Sequence, residues 1–203
     1  GVAEGIDGRA DALQISVQGQ GDTVREFAAH AAVEARWVGG RIKVGGDQRR
    51  LAADIRVREA VIGAAAGEPV RARLAGLIDN TSVQIELGSG TLADVARDAD
   101  HLPFALAMRA AGALLTLDGE VALPLGREGK LRFALSGERL DSLSELARVE
   151  LPAWGPWSFA GPIRLTPTGY DLQGLQVDVG RSRLSGSGKL DLSGPRPHLA
   201  LQV

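Results

Sequence analysis

The chain has 203 residues, 44% hydrophobic and 24% charged, a balance that supports a folded core and excludes disorder. Its 23 basic and 25 acidic residues leave a net charge of −2 without long runs of one sign, which excludes the concentrated positive field of a nucleic-acid surface. Cysteine is absent, so disulfides and thiolate metal sites are excluded, and no uncharged apolar run approaches the ~18–20 residues that span a bilayer.

In chain order, Gly1, Gly5 and Gly8 mark an irregular lead-in. Leu13, Ile15 and Val17 then alternate with Gln14, Ser16 and Gln18, the period-two signature of a strand. Residues 22–38 fit two patterns. Thr23 and Glu26 have capping-box spacing, with Val24, Phe27, Ala28, Ala31 and Ala35 as a helical stripe. Phe27, Ala29, Ala31, Val33, Ala35 and Trp37 equally share one strand face. Gly39-Gly40 before Ile42 and Val44 reads as a hairpin and favours the strand.

Further strands are expected over 51–61, 70–78 and 83–87, divided by Gly45-Gly46-Asp47, Gly67-Glu-Pro69 and Asp79-Asn80. Residues 91–97 read as a short helix. Strands follow over 104–110, 114–123 and 131–135, then a second short helix whose Ser142 and Glu145 have capping-box spacing. The remainder reads as strands over 157–166, 170–179, 183–192 and 198–203, with Gly194, Pro195 and Pro197 as breakers. The chain opens on Gly1 without a leader pattern and is expected to be an excerpt of a longer protein.

Two stretches align with each other. Thr91-Leu-Ala-Asp-Val-Ala96 matches Ser142-Leu-Ser-Glu-Leu-Ala147, each followed by Leu-Pro at a similar distance, Leu102-Pro103 and Leu151-Pro152. Leu117, Gly119, Val121 and Leu123 match Leu184, Gly186, Gly188 and Leu190. The pattern predicts a stacked repeat of about fifty residues. It divides the chain into an N-terminal β region (1–89) and two repeat units, each with a short helix (90–140 and 141–203).

About a dozen strands with two short helices predict an all-β fold. Each helix spans only about 10 Å and covers little of such a sheet. The sheet must therefore fold on itself or leave an apolar trough. The expected fold is an antiparallel sheet of repeats curled into a groove or open barrel, with inner faces of Leu, Val, Ile, Ala and Gly suited to a roomy lining.

Motifs for chemistry are weak. Gly186-Ser-Gly-Lys189 lacks the Ser or Thr that must follow a phosphate-loop Lys. Asp94, Asp98 and Asp100 lack the Gly and distal Glu of a calcium loop. His30, His101 and His198 have no partner at helical spacing, and Ser182, Ser185 and Ser187 sit in an alternating strand rather than a nucleophile elbow. No catalytic residue, metal ligand or cofactor is expected. Trp154, Trp157 and Phe159 read as a plug at the end of a sheet, or as a rim facing lipid or a partner.

One segment, Gly137-Glu-Arg-Leu-Asp-Ser-Leu-Ser-Glu-Leu146 with Leu151-Pro152, and another, Tyr170-Asp-Leu-Gln-Gly-Leu-Gln-Val-Asp-Val179, run into the strand at Gly180, Ser182, Leu184, Gly186 and Arg196-Pro197. Together, over about residues 70–203, they resemble the AsmA-like proteins of Gram-negative envelopes. Repeats of that family carry an L-x-x-L helix and a strand reading G-x-S-x-L-x-G-x-L-x-L that ends near R-P. Gly188 departs from the pattern, which puts the packing at that position in doubt. The family is similar to the bridge-like lipid-transfer proteins. The resemblance implies a periplasmic region of a protein anchored in the inner membrane through parts outside this sequence, moving phospholipid towards the outer membrane and supporting envelope integrity. Acyl chains would lie on Leu115, Leu117, Val121, Leu131, Phe133, Leu135, Val177, Val179, Leu184 and Leu190. The alternative is a structural β-sandwich or spacer with a closed core, acting in adhesion or assembly. A carboxylate-based hydrolase would need two acids in one cleft, which no spacing here suggests.

Overall fold

The computed structural model describes residues 6–44, 53–97, 101–122, 128–193 and 198–202. They form twelve strands in one antiparallel sheet whose spatial order is the chain order: β1 (Ile6–Gln18), β2 (Ala32–Val44), β3 (Ala53–Ala64), β4 (Pro69–Ile78), β5 (Thr81–Thr91), β6 (Leu102–Ala110), β7 (Ala113–Val121), β8 (Gly129–Gly137), β9 (Trp157–Thr166), β10 (Gly169–Val179), β11 (Ser182–Asp191) and β12 (His198–Gln202). Three short helices interrupt the meander: α1 (Val24–His30), α2 (Leu92–Ala96) and α3 (Ser144–Ala147), the last entered through a 3-10 turn, Leu140–Leu143. The all-β antiparallel expectation holds, with three helices where two were read.

The additional helix comes from residues 22–38, where the strand reading fails for the first half. Thr23 accepts the Glu26 N–H at 3.2 Å, the Glu26 carboxylate accepts the Asp22 N–H at 3.1 Å, and the chain turns helical until Ala31 returns it to extended geometry. Gly39-Gly40 is no hairpin. It lies inside β2, with Gly39 at φ +65° and Gly40 at φ +145°, where the ladder to β1 leaves Asp11 unpaired. The register is the same on both sides of the glycines, and the extra residue of this region lies on β3, where Arg58 is passed over between Val57 and Glu59 in the ladder to β4. The hairpin turns lie elsewhere. Asp79-Asn80 and Ala111-Gly112 each place two residues at positive φ, the geometry that matches strand twist.

The Ser142–Glu145 box also does not form. The helical turn begins two residues earlier, so the Ser142 hydroxyl donates to the Arg139 carbonyl at 2.7 Å, and neither the 3-10 turn nor α3 has a side-chain cap. A complete capping box is found on α2, where Thr91 and Asp94 satisfy one another's backbone N–H groups at 3.0 and 3.2 Å. The breakers at 45–47 and 194–197, with Asp98, Asp100 and Leu123, fall outside the described residues. The two aligned stretches take different places. Leu117 lies on the second strand after its helix, and Leu184 on the third.

Cross-strand register sorts the side chains onto two faces. Ile15, Ala35, Ile62, Ala72, Leu87, Leu106, Leu117 and Phe133 are successive partners on one face, from β1 to β8. Arg36, Arg73, Glu86, Asp118, Arg132 and Arg164 project from the other. No second sheet covers the apolar face among the described residues. The accessible surface is 13945 Å², against about 9,100 Å² for a compact monomer of 21.2 kDa. The chain is an open, single-layered sheet rather than a sandwich.

That sheet is curled. α1 follows β1 and α2 follows β5, four strand spacings or about 19 Å apart in a flat sheet, yet the two helices pack against each other. At the opposite end, the segment from β8 to β9 carries Arg148 to Asp79 in the β4–β5 turn, 2.6 Å away. Each end of the trough is thus crossed by helical chain.

Candidate functional site

The ten residues that the resemblance assigned to acyl chains all lie on the apolar face. Leu115, Leu135, Phe159, Val177 and Leu184 are register partners across β7 to β11. Leu117 partners Phe133 in the next row. Leu131 continues through Ile163, Leu172 and Gly188, while Val121 leads through Gly129, Leu165 and Tyr170 to Leu190. Val179 closes the set beside Trp157. Strands spaced at ~4.8 Å and rows eight residues apart make this half of the face about 19 Å wide and 27 Å long. One acyl layer of a bilayer is about 15 Å deep, half of the ~30 Å hydrocarbon core.

The ten do not share one environment. Val121 (4% exposed) and Leu131 (9%) pack with Leu102, Phe104, Ile163 and Leu165 into a dry cluster at the α2 end. Leu184 is 53% exposed near the open edge. The other seven are half-buried. The same face continues where the sequence reading named no site residue: Leu13, Ile15, Val17, Ala35, Ile62, Leu74, Ile85 and Met108 extend it over β1 to β6. Their period-two alternation was the available signal.

Two end structures border the face. At the first, α1 and α2 pack together above Ala31 and Leu102, each 2% exposed. At the second, residues 138–156 form a strap. Small and apolar residues at the end of the strands, Val57, Val83, Ala110, Ala113 and Trp157, are buried there, whereas the middle of the face is more open. Leu140 donates its N–H to the Trp154 carbonyl at 2.8 Å, and Leu151 donates to Ser144 Oγ at 3.1 Å, which folds the strap onto itself. Of the three aromatics weighed as plug or rim, Trp157 and Phe159 are the plug, with ring centroids 5.5 Å apart. Trp154 is 59% exposed on the strap.

Charge is confined to the other face and to the ends. Arg36 pairs with Glu59 and Arg183 with Asp178, both at 2.6 Å, and Arg41 with Asp54; no polar or charged residue is buried among the described residues. The Asp79 carboxyl lies below its ordinary range because the Arg148 guanidinium and the Asp54 N–H donate to it. Asp94 is lowered by its hydrogen bonds to Thr91. Gly186-Ser-Gly-Lys189 lies within β11. His30 bonds the Glu26 carbonyl and His101 faces Glu120 at 3.7 Å. No three His, Asp or Glu side chains converge among the described residues. What the arrangement offers chemically is a long apolar surface with wet margins. Compared with protein-family models, curated proteins and solved structures, the chain finds no match.

Proposed function

We propose that this chain is a lipid-handling module whose curled apolar face lodges phospholipid acyl chains while headgroups stay in water. The observation that carries the reading is a single apolar face, continuous in register across the sheet, that no second layer covers among the described residues. Each methylene removed from water contributes ~0.8 kcal/mol, so a chain of about sixteen carbons gains on the order of 10 kcal/mol before ordering costs. Binding of that kind needs no catalytic group, metal or cofactor.

The reading extends to an AsmA-like envelope protein working in the periplasm between inner and outer membrane. Its support is the L-x-x-L motif in the strap and the Gly180–Leu190 pattern, which runs through a turn into β11. No helix among the described residues is long and apolar enough to cross a membrane. The anchor in this reading belongs to parts of the protein outside this sequence.

Native mass spectrometry of the purified chain, with organic extraction, tests the proposal. Phospholipid should accompany the wild type and Ala134→Asp, which alters the exposed polar face beside Phe133. It should be lost from Leu117→Asp and from Leu184→Asp, the latter at a position exposed enough to tolerate charge. A folded wild type that carries no lipid, even after incubation with phospholipid vesicles, would return the chain to the structural-module alternative.

A further inference from the structure

Lys130 on β8 and Arg164 on β9 are register partners on the polar face. Like charges directly opposite one another destabilise a sheet unless a group of opposite sign answers them. Where Arg41 on β2 opposes Arg56 on β3, Asp54 does so, accepting from Arg41 Nε at 2.6 Å and lying 3.9 Å from Arg56. Lys130 and Arg164 have acids as their outer neighbours in the ladder, Glu120 and Asp171, yet no ion pair joins either cation to them among the described residues. Glu120 turns instead to His101, at 3.7 Å.

The two cations share a cleft of about 400 Å³ with the acids Glu120 and Glu128 and with Val121 and Leu165. That size is within the range of small-molecule sites. Val121 and Leu165 belong to the apolar face, Glu120, Lys130 and Arg164 to the other, so the cleft joins both faces around the strand ends. From Leu165 the apolar row runs on through Tyr170, 39% exposed, to Leu190.

We propose, on the lipid-handling reading, that this cleft holds the headgroup of a zwitterionic phospholipid. The phosphodiester lies between Lys130 and Arg164, the ammonium against Glu120 and Glu128, and the acyl chains along the row from Leu165 to Leu190. An unanswered pair of cations calls for an anion, and phosphate oxygens accept charge-assisted bonds from Lys and Arg. The two cations and two carboxylates of the cleft balance. A ligand carrying both signs satisfies all four, whereas a bare anion meets the acids with repulsion.

Glycerophosphoethanolamine, glycerophosphoglycerol and inorganic phosphate, titrated into the isotope-labelled chain and followed by nuclear magnetic resonance at the Lys130 and Arg164 amides, test the site without acyl chains. Glycerophosphoethanolamine should bind tightest. Lys130→Gln with Arg164→Gln should weaken it by about tenfold or more, and Glu120→Gln with Glu128→Gln should abolish its advantage over the two anions. All four side chains are exposed, so the variants should fold, and Arg132→Gln on the same face should bind as the wild type does. Silent amides, inorganic phosphate bound as tightly as glycerophosphoethanolamine, or full binding by the variant without the two cations would each overturn the proposal. Native mass spectrometry separates the sources. Headgroup binding by a chain that never carries phospholipid would assign the cleft to free phosphoethanolamine and end the lipid reading. Phospholipid carried equally by the wild type and the variant without the two cations would end the headgroup site and leave the lipid reading in place.

Discussion

Gly137 and Trp157 face each other across β8 and β9, and the indole lies flat where a side chain at 137 would project. A Cβ there would sit 2.7 Å from the ring of Trp157, which is 2% exposed. Gly137→Ala should cost about 1–3 kcal/mol through overpacking, read as a lower urea midpoint with an unchanged slope. An unchanged midpoint would show that the ring shifts freely. The sequence groups Trp154, Trp157 and Phe159 as plug or rim but gives Gly137 only a place in a family motif, because a glycine carries no sign of what lies above it. Caps show the same limit. Thr91–Asp94 and Ser142–Glu145 have equal spacing, yet one forms a box and the other does not. Spacing states which bonds are possible; the position of the first turn decides which are made.

Among the elements, the strap is held in part by titratable charge. Its Arg148 donates to the Asp79 carboxylate, and the folded acid is lowered from 3.8. A lowered folded value means that the contribution to stability is complete above the unfolded value and lost as pH falls through the folded one. Asp141, lowered by Arg139 within the strap, acts in the same direction. Hydrogen exchange at the Leu140 and Leu151 amides, corrected for intrinsic rate, should therefore be steady from neutral pH down to about pH 5 and quicken below about pH 4. Asp79→Asn keeps a residue that tolerates the φ of +47° and removes the charge, so its strap should exchange faster at neutral pH with a weaker acid step. Equal exchange in both proteins would mean that apolar packing alone holds the strap. The α1 segment has a different lesson. Phe27, Ala31 and Ala35 fit either period, and the helix runs only to His30, where α1 packs against α2, a partner about sixty residues along the chain.

The whole molecule is a trough with closed ends and open margins, and substitutions should divide along that line. Leu131→Asp places a charge in the dry cluster with Leu102 and Val121 and should cost more than about 4 kcal/mol, enough to unfold the chain. Leu184→Asp, over half exposed, should cost less than about 1 kcal/mol. Circular dichroism with urea titration separates them; equal losses would show that the trough closes over Leu184 in solution. The sequence by itself determined the strand class, most strand positions and the common face of the ten apolar residues. Period-two alternation is local and survives in a single chain, and a slip of one residue would carry a strand's apolar residues to the opposite face. It left open whether that face would be covered, and by what. Single-layered architecture, curl, the packing of α1 on α2 and the strap's hold on Asp79 are set by residues far apart in sequence. Their energies depend on closeness in space, which no spacing along the chain records, so the tertiary structure alone decided them.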